Sequence, residues 1–183
     1  VHKVTDRGIA RTFQNIRLFS DLTVLENVLV SFHQRLGTYF WEAMFGLPRY
    51  RREEQRIREQ AMDYLQELSL AHLAGEKAGG LAYGQQRRLE IARALATQPR
   101  LLLLDEPAAG MNPQETNELA YLVRKLRERH SLTIFLIEHD MKFVMGLCER
   151  IKVLDYGVSI AEGTPAEIQS NPAVIKAYLG EPK

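Results

Sequence analysis

The sequence predicts an α/β protein, and two apolar runs with a helix between them are the main reason. The runs at 100–104 and 132–137 are almost wholly apolar, as strands buried on both faces of a parallel sheet are. The segment 113–129 has a helical pattern and a proline at its first position. Strand, helix and strand together predict a βαβ unit in the second half of the chain.

The first half of the chain is expected to be mostly helical. Thr23 and Glu26 have the spacing of a capping box, which predicts the start of a helix. A strongly charged helix with one apolar stripe is expected at 51–68. Glycines between 75 and 80 predict a flexible joint, and a further helix is expected at 84–97.

Shorter elements are expected at both ends of the chain. Residues 8–14 alternate between apolar and polar side chains, which is typical of a short strand. Residues 151–154 and 158–161 flank an Asp-Tyr-Gly turn and predict a hairpin. Thr164 precedes a proline and a capping-box glutamate, so a short helix is expected after it.

Composition excludes several classes of protein. The 183 residues have a net charge of +1, which argues against a dedicated nucleic-acid-binding protein. The single cysteine, Cys148, excludes an internal disulfide and a cysteine-based metal cluster, and the expected compartment is reducing cytosol. No apolar run approaches the roughly 18 residues that cross a bilayer. The aromatic cluster Tyr39, Phe40, Trp41 and Phe45 predicts local core packing, with a surface that receives a helix of a partner subunit as the alternative.

Two adjacent carboxylates give the strongest chemical signal. Asp105 and Glu106 follow the first apolar run, at the edge where open α/β sheets bind ligands. The first carboxylate can hold Mg²⁺ and the second can orient or deprotonate a water molecule. Gln14 ends an expected strand, and its amide is suited to contact Mg²⁺ or water. His139 follows the second apolar run and can contact a phosphate.

The chain resembles the ATP-binding subunits of ABC transporters from Arg11 to about Gly163. The resemblance depends on the order and rough spacing of four features: Gln14, the segment 81–93, Asp105 with Glu106, and His139. The segment 81–93 is similar to that of the subunits that serve branched-chain amino acid importers. The resemblance implies a RecA-like P-loop NTPase core with an α-helical subdomain, a cytoplasmic location on the inner face of the membrane, and ATP and Mg²⁺ as ligands.

The resemblance implies a role for each matching residue. Gln14 is similar to the Q-loop glutamine, and Asp105 is similar to the Walker B aspartate, which holds Mg²⁺ together with that glutamine. Glu106 is similar to the catalytic base. His139 is similar to the switch histidine. The signature loop, which binds the ATP of the opposite subunit, matches Leu81, Ala82, Tyr83, Gly84 and Gln85. Ala82 and Tyr83 depart from the usual Ser-Gly, and Asn112 stands where the D-loop commonly has Asp.

The expected organisation has four parts. Residues 1–14 end a core strand and reach the Q-loop, 15–80 form the helical subdomain, 81–163 carry the signature, Walker B, D-loop and H-loop, and 164–183 form terminal helices. No Gly-x-x-x-x-Gly-Lys-Ser/Thr motif occurs in the 183 residues, and Val1 is not an initiator methionine. The core is therefore expected to be incomplete. Because such a loop supplies several charge-assisted hydrogen bonds to phosphates, this chain alone is expected neither to bind ATP tightly nor to hydrolyse it.

The resemblance also implies partners. A signature loop works across a dimer, and the unusual signature favours a heterodimer with a second ABC ATPase subunit. Transmembrane permease subunits are expected, and nucleic acid is not. Two alternatives stay open at this point: a non-catalytic docking module for a membrane subunit or a partner ATPase, and a soluble ABC-type ATPase.

Overall fold

A computed structural model describes residues 2–32 and 48–179, and side chains at 4–32 and 50–178. The predicted aromatic cluster of residues 39–45 lies outside the described residues. The chain divides into two compact units, residues 1–137 and 138–183. Within the described residues, no helix has the length and apolar character required to cross a bilayer.

Helices and strands follow one another along most of the described chain. The first unit contains α1 (His2–Thr5), β1 (Ile9–Arg11), α2 (Val24–Phe32), α3 (Pro48–Glu67), α4 (Tyr83–Ala96), β2 (Leu101–Asp105), α5 (Pro113–His130) and β3 (Thr133–Ile137). The second unit contains α6 (Met141–Leu147), β4 (Ile151–Asp155), β5 (Val158–Gly163), α7 (Pro165–Gln169) and α8 (Pro172–Val174), followed by a π-helical turn at Ile175–Leu179.

The sheet of the first unit confirms the predicted parallel arrangement. It has three strands in the order β1-β2-β3, with Ile9 opposite Leu101 and Leu101 opposite Thr133. Both neighbours of β2 run parallel to it. The carboxyl ends of β1 and β2 therefore lie together, and this edge receives the chemically interesting residues.

The third strand differs from the prediction of burial on both faces. Its residues alternate between exposed and half-buried, and Phe135 and Ile137 are 57% and 52% exposed. Because apolar side chains occur on both faces of this strand, hydrophobicity alone could not tell which face is covered. In β2, by contrast, Leu102 and Leu104 are almost completely buried.

The helices of the first unit pack as their apolar stripes predict. Helices α2, α3 and α4 contact one another, and Leu65, Leu68 and Leu89 are fully buried among them. The capping box at α2 is confirmed, because the Thr23 hydroxyl accepts a hydrogen bond from the Glu26 backbone. The Glu26 carboxylate in turn accepts hydrogen bonds from the Thr23 backbone and hydroxyl.

The glycine-containing segment 75–80 is not an open joint. It includes a 3-10 helix at Ala78–Gly80, and its backbone is hydrogen-bonded to residues 20–24. Ala78 donates to the Leu22 carbonyl, and the Val24 amide donates to the Glu76 carbonyl. These bonds attach the segment to the start of α2, a pairing that glycine content alone does not reveal.

The second unit contains the predicted antiparallel hairpin. Strands β4 and β5 pair with a register shift between Val153 and Leu154. The capping box after this hairpin is also confirmed. The Glu167 amide donates to the Thr164 hydroxyl, and the Thr164 amide donates to the Glu167 carboxylate. The Tyr178 hydroxyl donates to the Leu154 carbonyl, which attaches the last turn to β4.

Candidate functional site

Three of the predicted site residues lie together at the carboxyl ends of β1 and β2. The side-chain amide of Gln14 donates to the Glu106 carboxylate over 2.8 Å. Asp105 is the last residue of β2 and directly precedes Glu106. The parallel pairing of β1 with β2 explains this proximity, because it places the segments that follow the two strands at one edge.

The Asp105 carboxylate has a basic neighbour that the sequence did not suggest. Arg11, the last residue of β1, donates to it over 2.8 Å. The backbone amide of Asp105 donates to the hydroxyl of Thr12, which is fully buried. The Asp105 side chain is 20% exposed, so it is oriented by the sheet and remains accessible from outside.

Glu106 has a left-handed backbone conformation, with φ of 44°. A non-glycine residue in this region is uncommon and carries strain. The conformation is held from both sides, because the Glu106 amide donates to the Ile137 carbonyl and its own carbonyl accepts from the Ala109 amide. The first bond attaches the turn after β2 to the end of β3, and the second closes the turn itself.

The predicted signature residues form the amino-terminal start of α4. Leu81 is largely buried, Ala82 precedes the helix, and the Gln85 side chain accepts a hydrogen bond from the Ala82 amide. Alanine offers no hydroxyl in return, so only one half of a capping box is present. Gln86 donates to the Leu81 carbonyl, which further fixes the loop.

The signature start of α4 lies next to the predicted D-loop. A Cβ added at Gly110 would lie 3.3 Å from the Tyr83 ring, and one added at Gly84 would lie 3.2 Å from the Glu115 carboxylate. Asn112 caps α5, because its side chain accepts from the Glu115 amide. The structure therefore assigns Asn112 a definite local role as a helix cap.

His139 belongs to the second unit. Its imidazole is 71% exposed, and its Nδ1 lies 3.7 Å from the Glu138 carboxylate. The following residue, Asp140, caps α6 by accepting from the Lys142 and Phe143 amides. The structure thus groups Gln14, Asp105 and Glu106 in the first unit, whereas His139 stands at the start of the second.

An arginine–glutamate pair on α4 was missed by the sequence analysis. Arg87 is fully buried, and it donates to the Phe13 and Gln14 carbonyls over 2.7 and 2.8 Å. Glu90 accepts from Arg87 and from the Phe13 amide. The spacing of three residues on a helix was visible in the sequence, but buried arginines are rare and this spacing usually marks an exposed pair.

The same helix contacts the chain beyond Gln14. Arg93 donates to the Arg17 carbonyl, and its guanidinium carbon lies 5.0 Å from the centre of the Phe19 ring. Burial lowers the pKa of Arg93 from its ordinary value, although Glu90 opposes this effect. Buried Asn27 accepts from the Phe19 amide and donates to the Phe19 carbonyl. The segment 13–19 is thus fixed by α4 and α2.

The oxygen donors at this edge of the sheet are suited to a ligand that contains magnesium and phosphate. Asp105, Glu106 and Gln14 offer carboxylate and amide oxygens, which Mg²⁺ prefers. Among the described residues, no group of three or more His, Cys, Asp or Glu could hold a metal ion. Mg²⁺ in proteins commonly uses one or two carboxylates, with substrate phosphates and water completing its coordination shell.

Comparisons with known proteins agree with this geometry. The family model described as "ABC transporter" matches residues 1–109, and the model described as "Branched-chain amino acid ATP-binding cassette transporter" matches residues 160–183. The first match covers Gln14, the signature segment, Asp105 and Glu106. The chain belongs to the ATP-binding subunits of the ABC transporter family and is an ABC-type ATPase.

Particular relatives place the chain more closely within the family. It is 53% identical over 180 residues to the high-affinity branched-chain amino acid transport ATP-binding protein BraF of Pseudomonas aeruginosa, covering 98% of this chain and 71% of that protein. It is 50% identical over 179 residues to the LivG protein of the same description from Escherichia coli K12, covering 98% of this chain and 70% of that protein.

Solved structures show the same fold. The ADP conformation of an ATP-binding cassette of an ABC transporter matches with a TM-score of 0.78 and 33% identity, over 98% of this chain and 71% of that one. A nucleotide-free cassette matches with a TM-score of 0.76 and 32% identity, over 98% and 72%. The predicted α/β class and the RecA-like P-loop NTPase architecture are thereby confirmed.

Proposed function

We propose that this chain is the ATP-hydrolysing motor subunit of a branched-chain amino acid importer, with Glu106 as the catalytic base. The hydrogen bond between Gln14 and Glu106 is the observation that supports this most directly. It unites two residues that are distant in sequence at the ligand-binding edge of the sheet. The names of the relatives at 53% and 50% identity support the cargo.

Glu106 would act on the attacking water. Its carboxylate accepts a proton from that water as the oxygen bonds to the γ-phosphorus of ATP and the bond to ADP breaks. The Gln14 amide binds one carboxylate oxygen and so fixes the orientation of the other. Catalysis of this kind depends mainly on positioning and on charge stabilisation.

Mg²⁺ would be held by Asp105 and by the side-chain oxygen of Gln14. When bound, the ion neutralises phosphate charge and polarises the transferred phosphoryl group. Arg11 donates to the same Asp105 carboxylate and therefore competes with a cation for it. His139 is proposed to contact the γ-phosphate, in keeping with its 71% exposure.

The signature residues and Asn112 are proposed to bind the ATP of a second ABC ATPase subunit. The signature residues are Leu81, Ala82, Tyr83, Gly84 and Gln85. The absence of a hydroxyl at Ala82 favours a heterodimer, in which the two sites need not be equivalent. Transmembrane permease subunits would complete the transporter. The chain would then lie in the cytoplasm, on the inner face of the membrane.

We propose that the chain has the four parts that its sequence predicts. Residues 1–14 would reach the Q-loop, 15–80 would form the helical subdomain, 81–163 would carry the remaining motifs, and 164–183 would form terminal helices. The helical packing of α2 and α3 and the confirmed cap at Thr164 support the second and fourth parts.

Hydrolysis tests the proposal in a transporter assembled from a form of this subunit that also contains a Gly-x-x-x-x-Gly-Lys-Ser/Thr loop, because the 183 residues contain none. Glu106→Gln removes the base but keeps the size of the side chain, and we expect the turnover number to fall at least about a hundredfold. Glu53→Gln serves as the matched control, because Glu53 is on helix α3 and bonds only to Arg56 in the described contacts. Unchanged turnover in Glu106→Gln, or no hydrolysis by the unaltered assembly, would overturn the proposal.

Cargo is tested separately by uptake into vesicles that contain the assembly. Labelled leucine, isoleucine and valine should accumulate with ATP, and a labelled basic amino acid should not. Accumulation of the basic amino acid alone would leave the ATPase assignment in place but overturn the proposed cargo.

A further inference from the structure

Three backbone groups next to Gln14 are bound by one side-chain pair on α4. Glu90 accepts from the Phe13 amide over 3.1 Å, and Arg87 donates to the Phe13 and Gln14 carbonyls. The pair itself is joined over 2.8 Å. The Gln14 side chain then extends from this fixed backbone to Glu106.

Arginine has the geometry that this arrangement requires. Its two terminal nitrogens each serve two acceptors: one binds Phe13 and Glu90, and the other binds Gln14 and the Tyr83 hydroxyl. A guanidinium presents its donors in a rigid planar fork, whereas a lysine ammonium is a compact point charge on a flexible stem. Lysine at position 87 could keep the charge but not these four bonds.

Stability alone is a weak reason for burying this pair. Arg87 is 0% exposed and Glu90 7%, and the Arg87 Nε has no hydrogen-bond partner among the described residues. Replacing a buried ion pair with neutral groups is often neutral or stabilising, because removing both charges from water is costly. The pair is better explained by the geometry that it imposes.

We propose that Arg87, oriented by Glu90, is a positioning residue for Gln14 and thereby controls the placement of the Glu106 carboxylate. This inference rests on the proposed function, in which Glu106 is the base. Arg87 does not touch the reacting atoms. It acts on them through the Gln14 backbone and side chain.

The first test needs no nucleotide. In the 183-residue chain, the side-chain NH₂ resonances of Gln14 are followed by nitrogen-15 NMR. A carboxylate partner at 2.8 Å should shift one of these protons away from its position in exposed glutamines. Arg87→Met combined with Glu90→Gln, which leaves no unpaired buried charge, should abolish that shift. An unchanged shift in this double variant would overturn the inference.

The second test uses ATP hydrolysis by the assembled transporter. The same double variant should lower the turnover number about tenfold and change KM for ATP less than about twofold, because the interaction lost acts after binding. Adding Gln14→Ala should lower the turnover no further than Gln14→Ala does alone. Independent, multiplicative effects would show that the pair does not act through Gln14.

The chain offers a matched control on another helix. Arg56 and Glu53 form a pair with the same spacing, at 2.7 Å, but exposed on α3. Arg56→Met combined with Glu53→Gln should leave both the Gln14 resonances and the turnover unchanged. If the buried double variant does not fold, Arg87→Lys replaces it, and its turnover should fall in the same way.

Failure of the inference is distinguishable from failure of the proposed function. If Glu106→Gln abolishes hydrolysis while the Arg87 variants do not lower it, the base assignment stands and the positioning role is wrong. If Glu106→Gln hydrolyses ATP normally, the proposed function is wrong, whatever the Arg87 variants do.

Discussion

Arg11 donates a hydrogen bond to Asp105 across the pairing of β1 with β2, with 2.8 Å between Nη2 and Oδ2. The two residues are 94 positions apart in the sequence and come together because β1 and β2 are parallel neighbours. Arg11 is 54% exposed and Asp105 20%. This ion pair therefore lies where a cation bound by Asp105 would have to compete with it.

Removing the Arg11 charge should strengthen the response to Mg²⁺. In Arg11→Gln, the Mg²⁺ concentration that gives half-maximal hydrolysis by the assembled transporter should fall roughly 1.4- to fivefold, since exposed ion pairs contribute about 0.2–1 kcal/mol. A Mg²⁺ titration of turnover measures it. Arg150→Gln is the control, because Arg150 pairs with Glu162 in the second unit. An unchanged or higher requirement for Mg²⁺ in Arg11→Gln would contradict the competition.

Asn112 should contribute to stability as the cap of α5. Its side chain accepts from the Glu115 amide, so Asn112→Ala should lower the free energy of unfolding by about 1 kcal/mol, as loss of such caps does. Asn112→Asp keeps the acceptor and should be nearly as stable as the unaltered chain. Urea unfolding of the 183-residue chain measures both. Equal stability of the Ala and Asp variants would show that the cap contributes nothing.

The cap of α2 should depend on pH. Hydrogen bonds from the backbone and hydroxyl of Thr23 hold the pKa of Glu26 below its ordinary value. A carboxyl whose pKa is lowered in the folded state stabilises that state above its unfolded pKa, and this contribution is lost as the pH falls through the folded value.

The contribution of the Thr23 hydroxyl to the lowered pKa of Glu26 can be isolated by Thr23→Ala, which leaves the Thr23 backbone amide in place. The pKa of Glu26 should rise toward its ordinary value, measured by carbon-13 NMR of the carboxyl group. Glu167 serves as an internal reference, because its pKa is lowered in the same way by Thr164 and should not move. If the pKa of Glu26 stays where it is, the hydroxyl does not stabilise the ionised form.

The exposed side of β3 should promote self-association of the isolated 183-residue chain. Among the described residues β3 pairs only with β2, and Phe135 is 57% exposed on it. Exposed apolar edge strands pair with other chains, and an added lysine opposes such pairing. Phe135→Lys should therefore reduce the associated fraction in sedimentation velocity. Tyr121→Lys is the matched control, because Tyr121 is 64% exposed on a helix. Equal effects of the two substitutions would show that the self-association does not arise at the edge formed by β3.

Local patterns accounted for most elements of the fold. The capping boxes at Thr23 and Thr164 act over three residues, so their hydrogen bonds are determined by neighbouring sequence. The apolar runs gave β2 and β3 almost to the residue. Exposure of β3 could not be read in this way, because it depends on what covers each face of the sheet and not on the strand itself.

Long-range polar contacts limited how much of the candidate site could be predicted from the sequence. Asp105 and Glu106 were evident from two adjacent carboxylates after an apolar run. Their neighbours Arg11 and Arg87 were not, since each is brought in by a contact between residues more than 70 positions apart. An arginine on a helix is usually exposed, and the sequence contains no local mark of its burial.

Tyr83 contacts the buried arginine of its own helix and also lies beside the turn at Gly110. Its hydroxyl accepts from Arg87, and its ring lies 3.3 Å from the position that a Cβ at Gly110 would take. Replacing Tyr83 by the glycine of the common signature would remove one partner of a buried guanidinium and leave a gap beside Gly110. A change at position 83 should therefore alter the surroundings of both Arg87 and Gly110.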